Sequence, residues 1–256
     1  MNIPKKYKSK LNDKILSNYH YIKYLDASCN NIQNISHLNN LIFLDASGYF
    51  CKINDKQLKK FNLNYLSASN NKKITNVNHM TNLKYLIANN NSGINNEGVK
   101  NINPIVLDIA NNKYITNINH MTNLKQLNAS LKSQINDNSI KNLNLINLYV
   151  SENNNIKNVN HMTNLKILYA GGESGIDNNG IKNINPNILC ISHNNKITNI
   201  NHMTNLKILY AFDNSVLKYD ELNNIKLKYF NKNESNHTII FNNLSLLYDL
   251  KHQYLY

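Results

Sequence analysis

The chain has 256 residues, 58 of them asparagine and 28 lysine, with no arginine, no tryptophan, 7 glycines and a formal net charge of +13. A hydrophobic content of 41% with 16 tyrosines excludes a disordered polar tract, because a chain of this size and make-up can bury a core. The charge invites a nucleic-acid reading, yet a reader of phosphates would use arginine's bidentate fork, and Lys, Asn, Ile and Tyr share AT-rich codons that explain the same enrichment.

Residues 1–21 carry Leu11, Ile15 and Leu16, a spacing that predicts a short N-terminal capping helix. They hold no apolar leader, and no run in the chain approaches the roughly 20 apolar residues that span a bilayer. Cys29, Cys51 and Cys190 are too far apart for a disulfide framework or a zinc spacing, which points to a reducing compartment. The expectation is a soluble, intracellular protein without cofactor, metal or membrane span, and a monomer.

From Ile22 onward the chain is self-similar. The string His-Met-Thr-Asn-Leu-Lys begins at His79, His120, His161 and His202, 41 residues apart, with a degenerate copy at His37. Each period divides into two units on the frame Leu-x-x-Leu-x-(Ala/Ile/Val)-x-x-Asn. Its second leucine falls at Leu25, Leu44, Leu66, Leu86, Leu107, Leu127, Leu148, Leu168, Leu189 and Leu209, with Phe230 in an eleventh copy. The alternation predicts a short strand whose leucine and following Ala/Ile point inward while their neighbours point outward.

The turn after each strand needs partners for its backbone groups, which an asparagine amide can supply. Asn30, Asn71, Asn112, Asn153 and Asn194 occupy that position as a ladder; in the intervening units the same count gives Tyr49, Asn91, Lys132, Glu173 and Asn214, where the ladder is expected to relax. The remaining asparagines read as surface filler. Units that begin at Asn71, Asn112, Asn153 and Asn194 return with apolar residues every third position, such as Ile74, Val77, Met80 and Leu83, which fits an extended or 3₁₀-like segment. The alternate units, such as Ile94–Ile102 and Ile176–Ile184, predict a turn into one or two helical turns stopped by Pro104 and Pro186. Residues 236–256 place leucines compatible with a closing helix.

This frame resembles the leucine-rich-repeat family, over residues 22–235 in about eleven units of 20–21 residues. It departs from the family pattern in carrying mostly alanine at the third apolar position. The Lys- and Asn-heavy composition resembles repeat proteins of AT-rich giant DNA viruses and protists, which would place a viral chain in the host cytoplasm. The resemblance implies an α/β repeat solenoid, a curved horseshoe with a parallel concave sheet and short helical or 3₁₀ convex segments, and a concave face that binds a protein or peptide.

On that face the outward strand positions gather Tyr24, Phe43, Tyr65 and Tyr85, then Tyr149, Tyr169, Tyr210 and Phe212, together with Asp26, Asp45 and Asp108. Aromatics offer large contact area at small entropic cost, and the aspartates suit a cationic peptide contact. Histidines two rungs apart lie roughly 10 Å from each other, too far to share one zinc, so the histidine column reads as repeat duplication. No metal, phosphate-loop or nucleophile motif occurs, so catalysis is not expected. The alternative is polyanion binding, of nucleic acid or anionic lipid, through the lysine-rich edge at Lys84, Lys125, Lys166, Lys207 and Lys228.

Overall fold

The structure, a computed structural model, describes residues 11–28, 31–214, 216–218, 222 and 224–232. Asn30 of the ladder, residues 1–10 of the expected N-terminal cap and the expected closing helix in 236–256 lie outside the described residues. The rest falls into two compact units that divide between Pro104 and Ile105.

In the first unit, β1 (Tyr24–Asp26), β2 (Phe43–Asp45), β3 (Tyr65–Ser67) and β4 (Tyr85–Ile87) form parallel pairs in chain order. The second unit repeats the arrangement with β5 (Val106–Asp108), β6 (Gln126–Asn128), β7 (Asn147–Tyr149), β8 (Ile167–Tyr169), β9 (Ile188–Cys190), β10 (Ile208–Tyr210) and β11 (Tyr229–Asn231). Each strand's middle residue pairs in register with the next, so the leucines Leu25 to Leu209 stack within their units and are all fully buried. Phe230, at the middle of β11, is 40% exposed and marks the degenerate copy.

The helical returns appear where the apolar spacing places them. The helices α1 (Asp13–Leu16), α2 (Asp55–Leu58), α3 (Asn96–Val99), α4 (Asp137–Ile140) and α5 (Asn178–Ile181) are each one turn long. An Asn or Asp precedes each and accepts a backbone N–H, as Asn95 does from Gly98 and Asp177 from Gly180. The other returns are a series of separate turns. Met80 N–H donates to Val77 O and Leu83 N–H to Met80 O, and the same pair recurs at Met121/Leu124, Met162/Leu165 and Met203/Leu206. Each closes from i to i+3, which returns every third side chain to the core without a continuous helix.

The chain leaves each of the strands β2 to β10 through one left-handed residue at a fixed position: Gly48, Asn70, Asn90, Asn111, Leu131, Glu152, Gly172, His193 and Asp213. The conformation presents the backbone N–H to the next rung, as Leu131 donates to Ser151 O and His193 to Phe212 O. Asparagine tolerates this region better than other residues with a side chain, which accounts for three of these positions. Leu131 does not suit it, having φ 62° and a side chain 45% exposed. Leu131→Asn should therefore raise stability by about 1 kcal/mol, visible as a higher urea midpoint at unchanged slope.

Candidate protein-binding face

The ladder asparagines are buried, and their amides bind two neighbouring rungs. Asn71 Nδ2 donates to Ala46 O (2.8 Å) and Ile53 O (3.0 Å) while its Oδ1 accepts from Lys73 N–H. Asn153 does the same with Ala129 O, Ile135 O and the N–H groups of Asn155 and Ile156, and Asn194 with Ala170 O, Ile176 O and Lys196 N–H. Asn112 Oδ1 accepts from Tyr114 and Ile115. Asn214 also belongs to the ladder, giving Nδ2 to Asn194 O at 2.8 Å.

In the helical units the rung is shifted, not relaxed. The turn that closes at Ala68 O onto Asn71 closes one residue later, from Ser92 N–H to Asn89 O, so the buried slot passes to Ser92, Ser133 and Ser174. Tyr49, Asn91, Lys132 and Glu173 are consequently outside it. In the rung of β2 the slot falls to Cys51, whose Sγ lies 3.6 Å from Ala27 O. The small side chains fit where the extra residue takes up space.

Many of the other asparagines among the described residues are not filler. On the return side Asn34, Asn76, Asn158 and Asn199 accept the N–H two residues on, as Asn76 Oδ1 does from Asn78 at 3.0 Å. Asn62, Asn144 and Asn185 accept from Asn82, Asn164 and Asn205 of the next rung. Asn160 bridges forward by giving Nδ2 to Asn179 O and accepting from Asn183 N–H; Asn78 and Asn119 make the same bridge. The first residue of the helices repeats the device: Asp55, Asp137 and Asn178 each take two N–H groups from the following rung. The histidine column has a role as well. Nε2 of His37, His79, His161 and His202 lies 3.0–3.1 Å from the carbonyl of the last helical residue one rung back, a geometry that requires the proton on Nε2.

The strand face differs from expectation in its burial. In the first unit Tyr24, Phe43, Tyr65 and Tyr85 do form one column, but Phe43 and Tyr65 stack with ring centroids 3.9 Å apart and are only 3% and 6% exposed. Adjacent strands lie about 4.8 Å apart, close enough for each ring to cover the next. Tyr24 and Tyr85 flank the stack at 6.1 and 6.4 Å and stay half-buried. Beside them lies a cleft of about 210 Å³ lined by the four rings with Ile42, Asn64 and Lys84. Sequence reasoning missed Ile42 and Asn64, which precede their strands; their position just before an aromatic strand start was the available signal.

The second unit puts its aromatics on the other outward column. Tyr149 and Tyr169 pair at 5.0 Å and Tyr210 packs on Tyr229 at 5.6 Å. Tyr149, Tyr169 and Tyr210 are nearly covered, against the expectation of an open aromatic surface, while Phe212 stands half-buried edge-on to His193. Burial raises the hydroxyl pKa of Tyr149 and, with the neighbouring Tyr229 and Cys190, that of Tyr210, so both stay protonated hydrogen-bond groups. Cys190 between them is raised by burial despite its contacts to Ser192, which keeps it a neutral thiol.

The aspartates were expected to face a cationic peptide, but each is committed to its own turn. Asp45 and Asp108 are buried and accept the N–H groups of Ser47 and Ala110, and Asp26 accepts both N–H and hydroxyl from Ser28. A short acceptor two residues before the turn satisfies a donor that has left the ladder. Among the described residues no group of three His, Cys, Asp or Glu side chains could hold a metal ion, and no helix is long and apolar enough to cross a membrane.

No protein-family model matches the sequence, and comparison with curated proteins finds no match. Solved structures do match. The crystal structure of an internalin, InlF of Listeria monocytogenes, aligns with a TM-score of 0.56 at 21% identity, over 88% of this chain and 71% of its own. The fold is that of a leucine-rich-repeat solenoid. The functional domain of InlJ from the same species, which includes a cysteine ladder, aligns with a TM-score of 0.48 at 16% identity over 85% of this chain and 55% of its own. In leucine-rich-repeat terms, the strand columns just described are the outward face and the helices and turns are the return side.

Proposed function

We propose that this chain is a non-enzymatic scaffold that binds a protein or peptide on its leucine-rich-repeat strand face. The reading rests on the first-unit cleft, where a packed aromatic stack ends in two half-exposed tyrosines beside Lys84. A rigid stack with accessible rims presents large apolar area with little side-chain entropy left to lose. Buried Phe43 and Tyr65 then act as the floor, and Tyr24 and Tyr85 as the contacts. The protein works as a soluble intracellular monomer, its buried Cys190 held as a neutral thiol.

The test is affinity capture from the native cell with the unaltered chain, a Tyr24→Ala/Tyr85→Ala variant and a return-side Lys113→Ala control. Partners should bind the first and third forms alike and the tyrosine variant about tenfold more weakly or not at all, as loss of two aromatic anchors implies. Equal binding to all three would remove the face from the proposal.

A further inference from the structure

The leading edge of the strands in the second unit carries a second, differently built surface. The residue before each strand stays in the parallel ladder: Lys125 N–H donates to Ile105 O, Lys166 to Ile146 O, Lys207 to Asn187 O and Lys228 to Lys207 O, all at 2.8–2.9 Å. This fixes the spacing of the lysines. Lys125, Lys166 and Lys207 stand two rungs apart, roughly 10 Å, and Lys228 one rung beyond. All four are exposed, and the ion pairs formed among the described residues, Lys100–Glu97, His193–Asp213 and Lys196–Glu173, involve none of them. The unit's exposed face-side carboxylates, Glu152, Glu173 and Asp213, sit at or beside the left-handed turn on the opposite, trailing edge.

Next to the lysines on the strand face lie Ile167, Ile188 and Ile208, half-buried, with Ile146 exposed at the edge between Lys125 and Lys166. A cationic row beside an aliphatic strip favours one class of partner. Bases stack on aromatic rings, and beside these lysines stand Gln126, Ile167, Ile208 and Tyr229, of which Tyr229 alone is an exposed ring, so single-stranded nucleic acid gains charge contacts and one stacking platform at the end of the row. A peptide in the extended polyproline II form has three residues per turn and rises about 3.1 Å per residue, so every third side chain returns to the same face at roughly 9 Å, close to the spacing of Lys125, Lys166 and Lys207.

We infer that Lys125, Lys166, Lys207 and Lys228 with the adjacent isoleucine strip bind an extended acidic segment of a partner protein, running across the strands with a carboxylate at every third residue and apolar residues between. The inference rests on the proposed scaffold function and adds the partner's chemistry.

The experiment uses the full chain and a fluorescent twelve-residue peptide of repeated Glu-Val-Thr, with a second peptide of the same composition whose glutamates are contiguous. Anisotropy should show binding of the first in preference to the second, weakening as salt rises. Lys125→Ala/Lys166→Ala/Lys207→Ala should lower that affinity about tenfold, the loss expected of three exposed charge pairs, whereas Lys113→Ala/Lys141→Ala/Lys182→Ala on the return side leaves it unchanged. An unchanged melting temperature confirms that the edge variant stays folded. No binding, no preference between the peptides, or equal loss in both variants overturns the inference. Tighter binding of poly-uridine RNA that disappears in the edge variant overturns it too, and assigns the edge to nucleic acid. If native partners are still captured by the edge variant but lost by Tyr24→Ala/Tyr85→Ala, the scaffold function holds and the acidic-segment inference alone fails.

Discussion

Replacing Asn153 by alanine is expected to lower the free energy of unfolding by about 4 kcal/mol, several times the cost of an ordinary lost hydrogen bond. Its amide serves Ala129 O, Ile135 O and the N–H groups of Asn155 and Ile156, and the side chain is fully buried. Alanine would strand three buried backbone groups, Ala129 O, Ile135 O and Ile156 N–H, besides the part-buried N–H of Asn155, and each stranded buried group costs roughly 1–3 kcal/mol before relaxation. Asn153→Asp should fare no better, since a carboxylate cannot donate to the two carbonyls. The comparison is Asn138→Ala, at an exposed site on α4, which should move stability by no more than about 0.5 kcal/mol. Urea unfolding of the three variants measures the contrast. A small effect at Asn153 would mean that the rungs close without their amides.

That contrast marks how far the sequence could be read. The strand centres were legible because a buried leucine followed two residues later by a small apolar side chain leaves few alternatives once it recurs every 20 or 21 residues. Four of the ladder positions, Asn71, Asn112, Asn153 and Asn194, were legible for the same reason, as they keep step with the strands. The shifted rungs were not. One extra residue in the turn of each helical unit moves the slot to Ser92, Ser133 and Ser174, and serine in a polar turn carries no signal of burial.

The return-side asparagines were hidden by abundance. Among 58 copies, a column that bonds the next rung looks the same in sequence as one that bonds water. The aromatic columns were legible as columns but not as covered surface, because exposure depends on how rings lean across a gap of about 4.8 Å. Phe43 and Tyr65 close that gap by stacking, and only the rims at Tyr24 and Tyr85 remain for a partner. The candidate site is therefore narrower than alternation alone implies, and Asp26, Asp45 and Asp108 serve their own turns.

Gly180→Ala is expected to destabilise the protein by about 3 kcal/mol or more, opposite in sign to what an isolated helix would show. In a helix interior alanine is favoured over glycine by roughly 1 kcal/mol, and α5 is otherwise a poorly helix-forming Asn-Asn-Gly-Ile. Packing reverses the preference. A Cβ on Gly180 would fall inside the contact distance of Lys157 O, an atom of the neighbouring rung's backbone, and Gly98 stands in the same relation to Thr75 O. These two helices lie directly against the preceding return segment, and Val159 N–H and Val77 N–H donate to the carbonyls of Gly180 and Gly98. The equivalent residue of α4 is Ser139, whose hydroxyl donates to Thr116 O at 2.7 Å, so that rung accommodates a side chain by bonding the carbonyl that would otherwise clash. Gly180→Ser should accordingly cost less than Gly180→Ala, despite its larger volume, because its hydroxyl can make the bond that Ser139 makes. Chemical denaturation of the two variants gives the order, and a more stable Gly180→Ala protein would show that the rungs separate freely at α5.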